Sequence, residues 1–391
     1  MRPAKAITVA STATIVCAFP MMLTGALAVQ MTGELGFGAA ALGLVIAAFR
    51  GTSSGTTFLW GKATDRLGAV VALRLAAIVS AVSCAGVALS GSYRGLLIWM
   101  IIGGSGIAIA LPATNRLIVN SVPQERRGLG FGIKQSSLPA ASVLAGLSVP
   151  LIALTVGWRY AFWLGSVLSL IVLVSIGRRS PDARRAARER PKPPPVDHRA
   201  LILVMAVAFG IGNFASSAMP AFYVDAAVRA GTSASLAGTV LAVAGLGAIA
   251  VRFVSGLASD RISTGHLKLC AALLATGATG QALLATSRPT PMAIGLLIGM
   301  AGVWGVNGIF WYALMRAYPT TPGTATGVVA TIGHAGGTLG PLVFGGIVQT
   351  ASYAAAWWVS CLAAVAAATA MLLASRPLER TAGPRDVVAP S

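Results

Sequence analysis

Negative charge is scarce in this chain, and charge of either sign is low. Only 10 of the 391 residues are Asp or Glu, and charged residues together make up 10% of the sequence, whereas soluble domains carry about 25%. Because 56% of the residues are hydrophobic, one water-soluble core cannot bury them, and lipid must solvate much of the surface. The composition predicts a polytopic membrane protein with the lipid bilayer as its first partner.

Features of several other protein classes are missing as well. The four cysteines (Cys17, Cys84, Cys270 and Cys361) stand singly in apolar runs without a CxxC spacing, which excludes an obvious metal site or redox pair. The chain has no P-loop for ATP, and its apolar runs hold no Asp pair, HExxH or Ser/His/Asp set. We therefore expect no enzyme activity, no cofactor and no metal.

Positive charge is abundant by comparison, with 29 Lys and Arg and a formal net charge of +19. Eight of these basic residues lie between Arg178 and Arg199, and most others flank apolar runs. This distribution is typical of positive-inside topology rather than of a nucleic-acid-binding face, so no nucleic-acid partner is expected. An inside N-terminus leaves few basic residues outside and predicts a multi-pass protein of the cell membrane with both termini in the cytoplasm. The basic residues left outside are Arg94, Arg159, Arg229 and Arg288.

Apolar runs of about 20 residues, the length that spans a bilayer, predict twelve transmembrane helices. The first run is longer than the apolar region of a signal peptide, which is about 7–15 residues, and is therefore counted as a span. The predicted limits are 6–30, 40–60, 70–90, 94–118, 128–154, 158–177, 200–225, 235–257, 266–286, 290–316, 324–349 and 353–375.

An internal repeat supports this count, because 195 residues separate Gly36 from Gly231 and Gly132 from Gly327. The repeat predicts an all-α protein made of two six-helix bundles. The Arg- and Pro-rich stretch between them has no apolar face and is interpreted as a flexible cytoplasmic linker. The predicted parts are an N-terminal bundle (1–177), the linker (178–199), a C-terminal bundle (200–376) and a cytoplasmic tail (377–391).

A short polar loop occurs once in each half, between the second and third predicted spans. The pattern Gly-x-x-x-Asp-Arg is followed by a further Gly in the first copy, and 195 residues separate the two copies. Twelve spans in two halves with this loop in each resemble the major facilitator superfamily over residues 1 to about 376. Ala69 and Val70 depart from the family's loop, which carries further basic residues there. The matching residues are Gly61, Asp65, Arg66, Gly68, Gly256, Asp260 and Arg261.

The resemblance implies a secondary transporter that moves a small solute by alternating access, and we expect it to act as a monomer. It also implies that the loop forms part of a cytoplasmic gate. Gly61 and Gly68 permit a tight turn, and Asp65 is expected at a helix N-terminus, bonded to a neighbouring Arg that holds the halves together. A solvated turn that only sets topology is the alternative.

Charges inside the spans are costly and point to function. Arg50 lies mid-span on a face of small and polar residues, including Ser53 and Ser54, and no acidic residue lies mid-span to neutralise it. The candidate interior charges are all positive, which favours an anion over a cation. We therefore predict an organic or inorganic anion as the solute, with Arg50 as its main counter-ion and Lys134 assisting.

Three other ionisable residues in the spans have two interpretations each. Lys134 either contacts the solute or extends to the cytoplasm, and Arg252 either lines the interior or pairs with Asp260. His334 is either a proton-coupling group, since imidazole titrates near neutral pH, or a neutral ring bonded to a hydroxyl of Thr331 or Thr338.

Amide and indole side chains at helical spacing complete the candidate solute site, although Asn and Ser also join helices within membranes. Asn213 shares a face with Ser216, Ser217 and Pro220, while Trp304 shares one with Asn307. The candidate solute-binding residues are Arg50, Lys134, Asn115, Asn213, Trp304 and Asn307.

The eleventh predicted span contains Gly336, Gly340 and Pro341 in a pattern similar to the superfamily's antiporter motif. The spacer before the last glycines is one residue longer than in that motif, and the motif belongs in the fifth span. We therefore interpret these residues as close packing with a bend. Two alternatives to anion transport stay open. One is an efflux pump for amphipathic drugs or metabolites, and the other is a non-transporting sensor or scaffold.

Overall fold

The computed structural model describes residues 3–123, 126–177, 199–261, 265–318 and 322–381, with side chains except at 128, 199, 256–261, 322–324 and 377–381. Fifteen α-helices and one π-helical turn, Val149–Ala153, account for nearly all of these residues. The helices are α1 (Pro3–Ala26), α2 (Ala28–Leu35), α3 (Ala39–Leu67), α4 (Ala69–Leu89), α5 (Tyr93–Ser121), α6 (Arg127–Gln135), α7 (Ser137–Ser148), α8 (Trp158–Ser175), α9 (Arg199–Ser217), α10 (Met219–Arg229), α11 (Ala234–Arg261), α12 (His266–Ala285), α13 (Pro289–Ala317), α14 (Pro322–Thr350) and α15 (Tyr353–Thr381).

The prediction of a polytopic, all-α membrane protein is confirmed. Within the described ranges, eleven segments are long and apolar enough to span a bilayer, or up to twelve if α2 and α3 are taken together. Those two helices meet at an angle of 114°. The helix α3 counts as a span only together with α2. It is less apolar on its own because it holds Arg50 in its middle and Lys62, Asp65 and Arg66 in its last two turns.

Three predicted spans are broken rather than continuous. The first divides at Leu27 into α1 and α2, the fifth divides at Ser136 and ends in the π-helical turn, and the seventh divides at Ala218. Proline explains the later two breaks, because Pro139 and Pro220 lack the N–H that would close the preceding helical turn. The carbonyls freed in this way become available to neighbouring side chains.

The repeat seen in the sequence is also present in the backbone. Gly36 ends α2 with a φ of 66°, and Gly231, which is 195 positions later, follows α10 with a φ of 94°. Side chains with a Cβ rarely adopt such left-handed conformations. The same left-handed glycine therefore lies between the first and second spans of each half. In the first half it is on the side of the membrane where α2 ends.

The two halves pack tightly on one side of the membrane. We call the side where α3 ends the loop side, and the side where α2 ends the far side. The predicted loop from Gly61 is wrong in its extent, because α3 continues through Asp65 to Leu67 and only Gly68 separates it from α4. A Cβ added to Gly25 would lie 2.6 Å from the Pro220 carbonyl oxygen, and one added to Gly43 would lie 2.3 Å from that of Pro341. These helix backbones from opposite halves meet directly on the far side.

The same helices separate toward the loop side. Among the described residues, a Cβ added to Gly55 of α3 or to Gly327 of α14 would have no atom within 4 Å. The close backbone contacts between α3 and α14 thus lie on the far side.

Part of the predicted domain plan lies outside the described residues. Residues 178–198 of the linker and 382–391 of the tail belong to that part. The last helix continues to Thr381, five residues beyond the predicted end of the C-terminal bundle.

Candidate solute-binding site

A cavity of about 190 Å³ lies between the two halves, near the middle of the spans. Its walls come from α1, α3, α5, α6 and α7 of the first half and from α9, α10, α11, α13 and α14 of the second. The first half contributes mostly apolar side chains, and the second contributes mostly polar ones. The apolar group is Met21, Met22, Ile46, Phe49, Ile107, Leu111 and Leu138, and the polar group of the second half is Asn213, Ser216, Ser217, Arg252, Asn307 and His334, beside Trp304.

Arg50 reaches this cavity from the middle of α3. Its guanidinium lies against α14, where a Cβ added to Gly337 would be 2.1 Å from Arg50 Nη2. Arg50 Nε is buried and has no hydrogen-bond partner in the described part of the chain. Since a buried N–H donor without an acceptor is costly, the side chain is poised to take an acceptor from the cavity.

Arg252 enters the same cavity from α11 in the other half. Its Nε donates to the Trp304 carbonyl oxygen at 2.9 Å, and its Nη1 donates to the carbonyl oxygen of Gln135. The break in the fifth span accounts for the second contact, because Pro139 has no N–H to offer Gln135 four residues earlier. The guanidinium also lies 5.7 Å from the centre of the Trp304 ring, so Arg252 bridges the two halves.

The ionisable residues in the cavity wall are Arg50, Arg252 and His334. The wall holds no carboxylate among the residues described there. Two guanidinium groups that border one cavity from opposite halves give that cavity a positive potential. The site is therefore suited to an anion.

His334 lies on α14, one turn before Gly337. The two hydroxyls that the sequence puts on its face donate to backbone carbonyls instead of to the imidazole. Thr331 donates to Gly327 at 2.9 Å, and Thr338 donates to the carbonyl of His334 itself at 3.0 Å. The imidazole lines the cavity on the helix that contacts Arg50.

Three further predicted candidates, Asn213, Trp304 and Asn307, line the cavity. Asn213 Nδ2 donates to the Phe209 carbonyl at 2.9 Å, which leaves the amide oxygen for other partners. Trp304 presents its ring beside Arg252. Amide, hydroxyl and indole groups thus surround the two arginines.

The remaining two candidates, Lys134 and Asn115, contact each other away from the cavity wall. Lys134 is only 4% exposed, and its Nζ donates to Asn115 Oδ1 at 3.1 Å. Lys134 lies on α6 and Asn115 lies on α5, so the contact joins two helices of the first half. Their geometry is that of a helix–helix contact rather than of a solute contact.

The first copy of the loop motif makes an ion pair within its own half. Asp65 Oδ1 accepts from Arg116 Nη1 of α5 at 2.9 Å, with the Asp65 side chain 53% exposed and that of Arg116 12% exposed. Arg116 Nη1 also donates to the Thr64 carbonyl at 3.0 Å. The expected contact with an Arg is present, but it ties α3 to α5 and does not cross to the other half. The side chains of Gly256, Asp260 and Arg261 lie outside the described residues.

Gly336 and Gly340 of α14 pack against α9. A Cβ added to Gly336 would lie 2.0 Å from the Gly210 carbonyl oxygen, and one added to Gly340 would lie 2.4 Å from that of Phe214. Pro341 lies within α14 and faces Gly43 of the other half. These residues are contact points between backbones, one within the second half and one between halves.

The residues that the sequence did not single out are the apolar wall of the first half and Gln135. Met21, Met22 and Phe49 are apolar residues of mainly apolar spans, so residue type alone does not separate the cavity wall from the lipid-facing surface. Gln135 is a different case. A signal for it exists in retrospect, namely Pro139 four residues later.

Comparison with known proteins agrees with this architecture. A family model of the Major Facilitator Superfamily matches residues 9–341. The probable nitrate/nitrite transporter NarK2 of Mycobacterium tuberculosis is 27% identical over 313 residues, which are 73% of this chain and 74% of that protein. The hexuronate transporter of Bacillus subtilis is 30% identical over 138 residues, 35% of this chain and only 33% of the relative's length.

Solved structures share the fold at low sequence identity. The inward-open form of the xylose transporter XylE from E. coli superimposes with a TM-score of 0.77 at 15% identity, over 94% of each chain. An inward-facing bacterial homologue of the human lysosomal transporter Spinster gives 0.68 at 16% identity, over 96% of each chain.

Proposed function

The chain belongs to the Major Facilitator Superfamily, and we propose that it is a secondary transporter that carries a small anion across the membrane by alternating access. The family consists of transporters and not of enzymes, which confirms the expectation from the sequence. The proposal concerns the class of solute and the mechanism of transport.

The observation that carries the anion proposal is the state of Arg50. Its guanidinium lies in the cavity between the halves with a buried donor, Nε, that has no acceptor among the described residues. A carboxylate or a nitrate offers planar paired oxygens that match the guanidinium fork. An anion bound there gives Arg50 the partner that the protein itself does not supply.

Arg252 supports the proposal from the other half. Arg252 belongs to the second half and contacts the first half through Gln135. Because Arg50 belongs to the first half, an anion held between Arg50 and Arg252 would bind both halves at once. Such a solute couples its own occupancy to the relative position of the halves, as alternating access requires. Asn213, Asn307 and Trp304 would then contact the rest of the solute.

The names of two relatives point the same way. Nitrate, nitrite and hexuronate are all anions, and the corresponding proteins are similar to this chain over 73% and 35% of its length. The relatives differ in solute size, so they support the sign of the charge rather than one compound.

The closed far side supports alternating access. Glycine backbones of opposite halves meet there, and the cavity lies between these contacts and the loop side. If the positive-inside rule sets the topology, the loop side is the cytoplasm, both termini lie there, and this structure is the inward-facing state. The Asp65–Arg116 pair would then brace the cytoplasmic gate within the first half.

A thermal-shift screen of the purified protein tests the proposal. Wild type is expected to be stabilised by one or more of nitrate, glucuronate and benzoate, and not by cationic dyes, because a ligand that binds only the folded state raises the melting temperature. Arg50→Gln removes the charge and should abolish the shift, whereas Arg50→Lys keeps the charge without the fork and should retain part of it.

A second candidate function is efflux of amphipathic drugs or metabolites, which the apolar wall formed by the first half favours. The same screen separates the two functions. Stabilisation by cationic dyes that is equal in wild type and Arg50→Gln would replace the anion proposal with this one. A monomeric state stays a prediction.

A further inference from the structure

His334 is the cavity-wall residue whose charge changes most readily in water between pH 5 and 8. The other ionisable groups in the described wall are Arg50 and Arg252, and arginine keeps its proton over this range. Any proton that the described cavity wall binds or releases during transport must therefore use the imidazole.

The position of His334 ties it to the anion site. The Arg50 guanidinium lies against Gly337, and residues three positions apart are neighbours on a helix surface, with about 5–6 Å between their Cβ positions. His334 is therefore within about one helical turn of the cation that we propose as the main counter-ion. Both side chains border the same cavity.

The helices around α14 supply no negative charge near His334. Over the described side chains, α3 contributes Arg50 mid-span and Lys62, Asp65 and Arg66 in its last turns, and α9 contributes no ionisable group between 200 and 217. The helix α13 contributes Tyr312 and Arg316, and α15 contributes Tyr353, Cys361 and Arg376. Arg252 of α11 is the other charged group that faces the cavity. A protonated His334 would thus face two cations without an anion to offset them.

We infer that His334 is the proton-coupling site, and that one proton binds to its imidazole together with the anion. This inference rests on the proposed anion transport. Two cations disfavour a third in the empty cavity. A bound anion offsets part of this positive field, so the anion favours imidazole protonation and the proton favours anion binding to the same degree.

The transport cycle follows from this linkage. An empty carrier holds a neutral imidazole. On one side of the membrane it takes an anion from the water and a proton from the water onto the free imidazole nitrogen. After the halves rock, both leave on the other side. For a monovalent anion the cargo carries no net charge, so a pH gradient drives net movement and the membrane potential does not act on the cargo.

Calorimetric titration of the full-length purified protein tests the inference. Nitrate, glucuronate and benzoate are titrated separately at pH 6.5 in two buffers with different ionisation enthalpies, which yields the number of protons taken up per anion. The wild type is expected to take up a fraction of a proton approaching one. Its affinity for the anion should fall with rising pH. The fall should approach about tenfold per pH unit where the imidazole is neutral in the empty site and protonated in the anion-bound site.

The variant His334→Gln keeps a polar side chain that cannot titrate. It should still bind the anion, take up no proton and show a flat pH profile. His334→Asn is a second neutral variant if the first does not fold. The matched control is His266→Gln, since His266 lies on α12 beside Tyr312 and not in the cavity wall. Proton uptake should persist in that control.

The possible outcomes separate the inference from the proposed function. Anion binding by wild type without proton uptake, or equal uptake in His334→Gln, would overturn the inference and leave anion transport intact. Failure of all three anions to bind the wild type would overturn both.

Discussion

At the scale of single residues, the site depends on a glycine as much as on an arginine. The sequence identified Arg50 from the small and polar side chains on its helix face. It did not identify Gly337, because the space that Gly337 leaves is filled by a residue that is 287 positions earlier in the chain. A side chain at 337 would occupy the position of the guanidinium.

Gly337→Ala is therefore expected to weaken anion binding with little loss of stability. The displaced group is the end of a flexible side chain, so it can move, and Ala favours a helix over Gly by up to about 1 kcal/mol. We expect the melting temperature to be unchanged or slightly higher, while anion affinity falls about tenfold or more. Thermal shift with and without anion measures both quantities.

Gly346→Ala is the matched control on the same helix, since a Cβ there would meet no atom of the described residues within 4 Å. It should keep wild-type affinity. Equal affinity in Gly337→Ala and Gly346→Ala would contradict the placement of Arg50 against α14.

Residue-scale prediction from the sequence reached its limit at Lys134. A buried lysine in a span indicates a contact inside the bundle, but not the contacting residue. Asn115 accepts a hydrogen bond from the Lys134 ammonium because α5 and α6 meet at that point, and such a contact depends on packing that the sequence periodicity does not reveal. Arg252 shows the same limit, since one of its two carbonyl partners is freed by a proline in the other half.

At the scale of helices, the span count and the repeat were predictable because apolar length and a 195-residue offset are written in the sequence. The breaks within spans were harder to predict. Pro139 and Pro220 each remove a helical hydrogen bond, which is a costly loss for backbone exposed to lipid. Both prolines are buried within the bundle. The sequence alone does not distinguish a kink from a full break.

Helix contacts on the far side should control which state the protein adopts. In Gly43→Ala the new methyl group would meet the Pro341 carbonyl oxygen, and a backbone atom cannot move aside as a side chain can. We expect this variant to destabilise the far-side-closed state. The population open to the far side should rise, as measured by reaction of a cysteine placed at position 221, where Ala221 is 3% exposed and faces Gly25 of the other half, with an impermeant thiol reagent added on the far side.

Gly55→Ala on the same helix is the control, because its methyl group would meet no atom of the described residues within 4 Å. Its cysteine reactivity should equal that of the parent. Protection at position 221 that is unchanged in Gly43→Ala would show that these glycines do not set the equilibrium.

At the scale of the whole molecule, the distribution of positive charge predicts that the loop side is the cytoplasmic side. A reporter domain fused to the C-terminus should be active as green fluorescent protein, which folds in the cytoplasm, and inactive as alkaline phosphatase, which needs the disulfide-forming compartment outside. The opposite pair of results would invert the topology and make this structure outward-facing.

The central claim is that Arg50 binds an anion that the halves then carry across the membrane. The most direct test is uptake of labelled nitrate and labelled glucuronate by proteoliposomes that contain wild type, Arg50→Lys or Arg50→Gln. Losing a buried charged partner costs about 2–5 kcal/mol, which is about 30-fold or more in affinity. We predict saturable uptake of at least one of the two anions by wild type, reduced uptake by Arg50→Lys and background uptake by Arg50→Gln. Equal uptake by wild type and Arg50→Gln would contradict the claim.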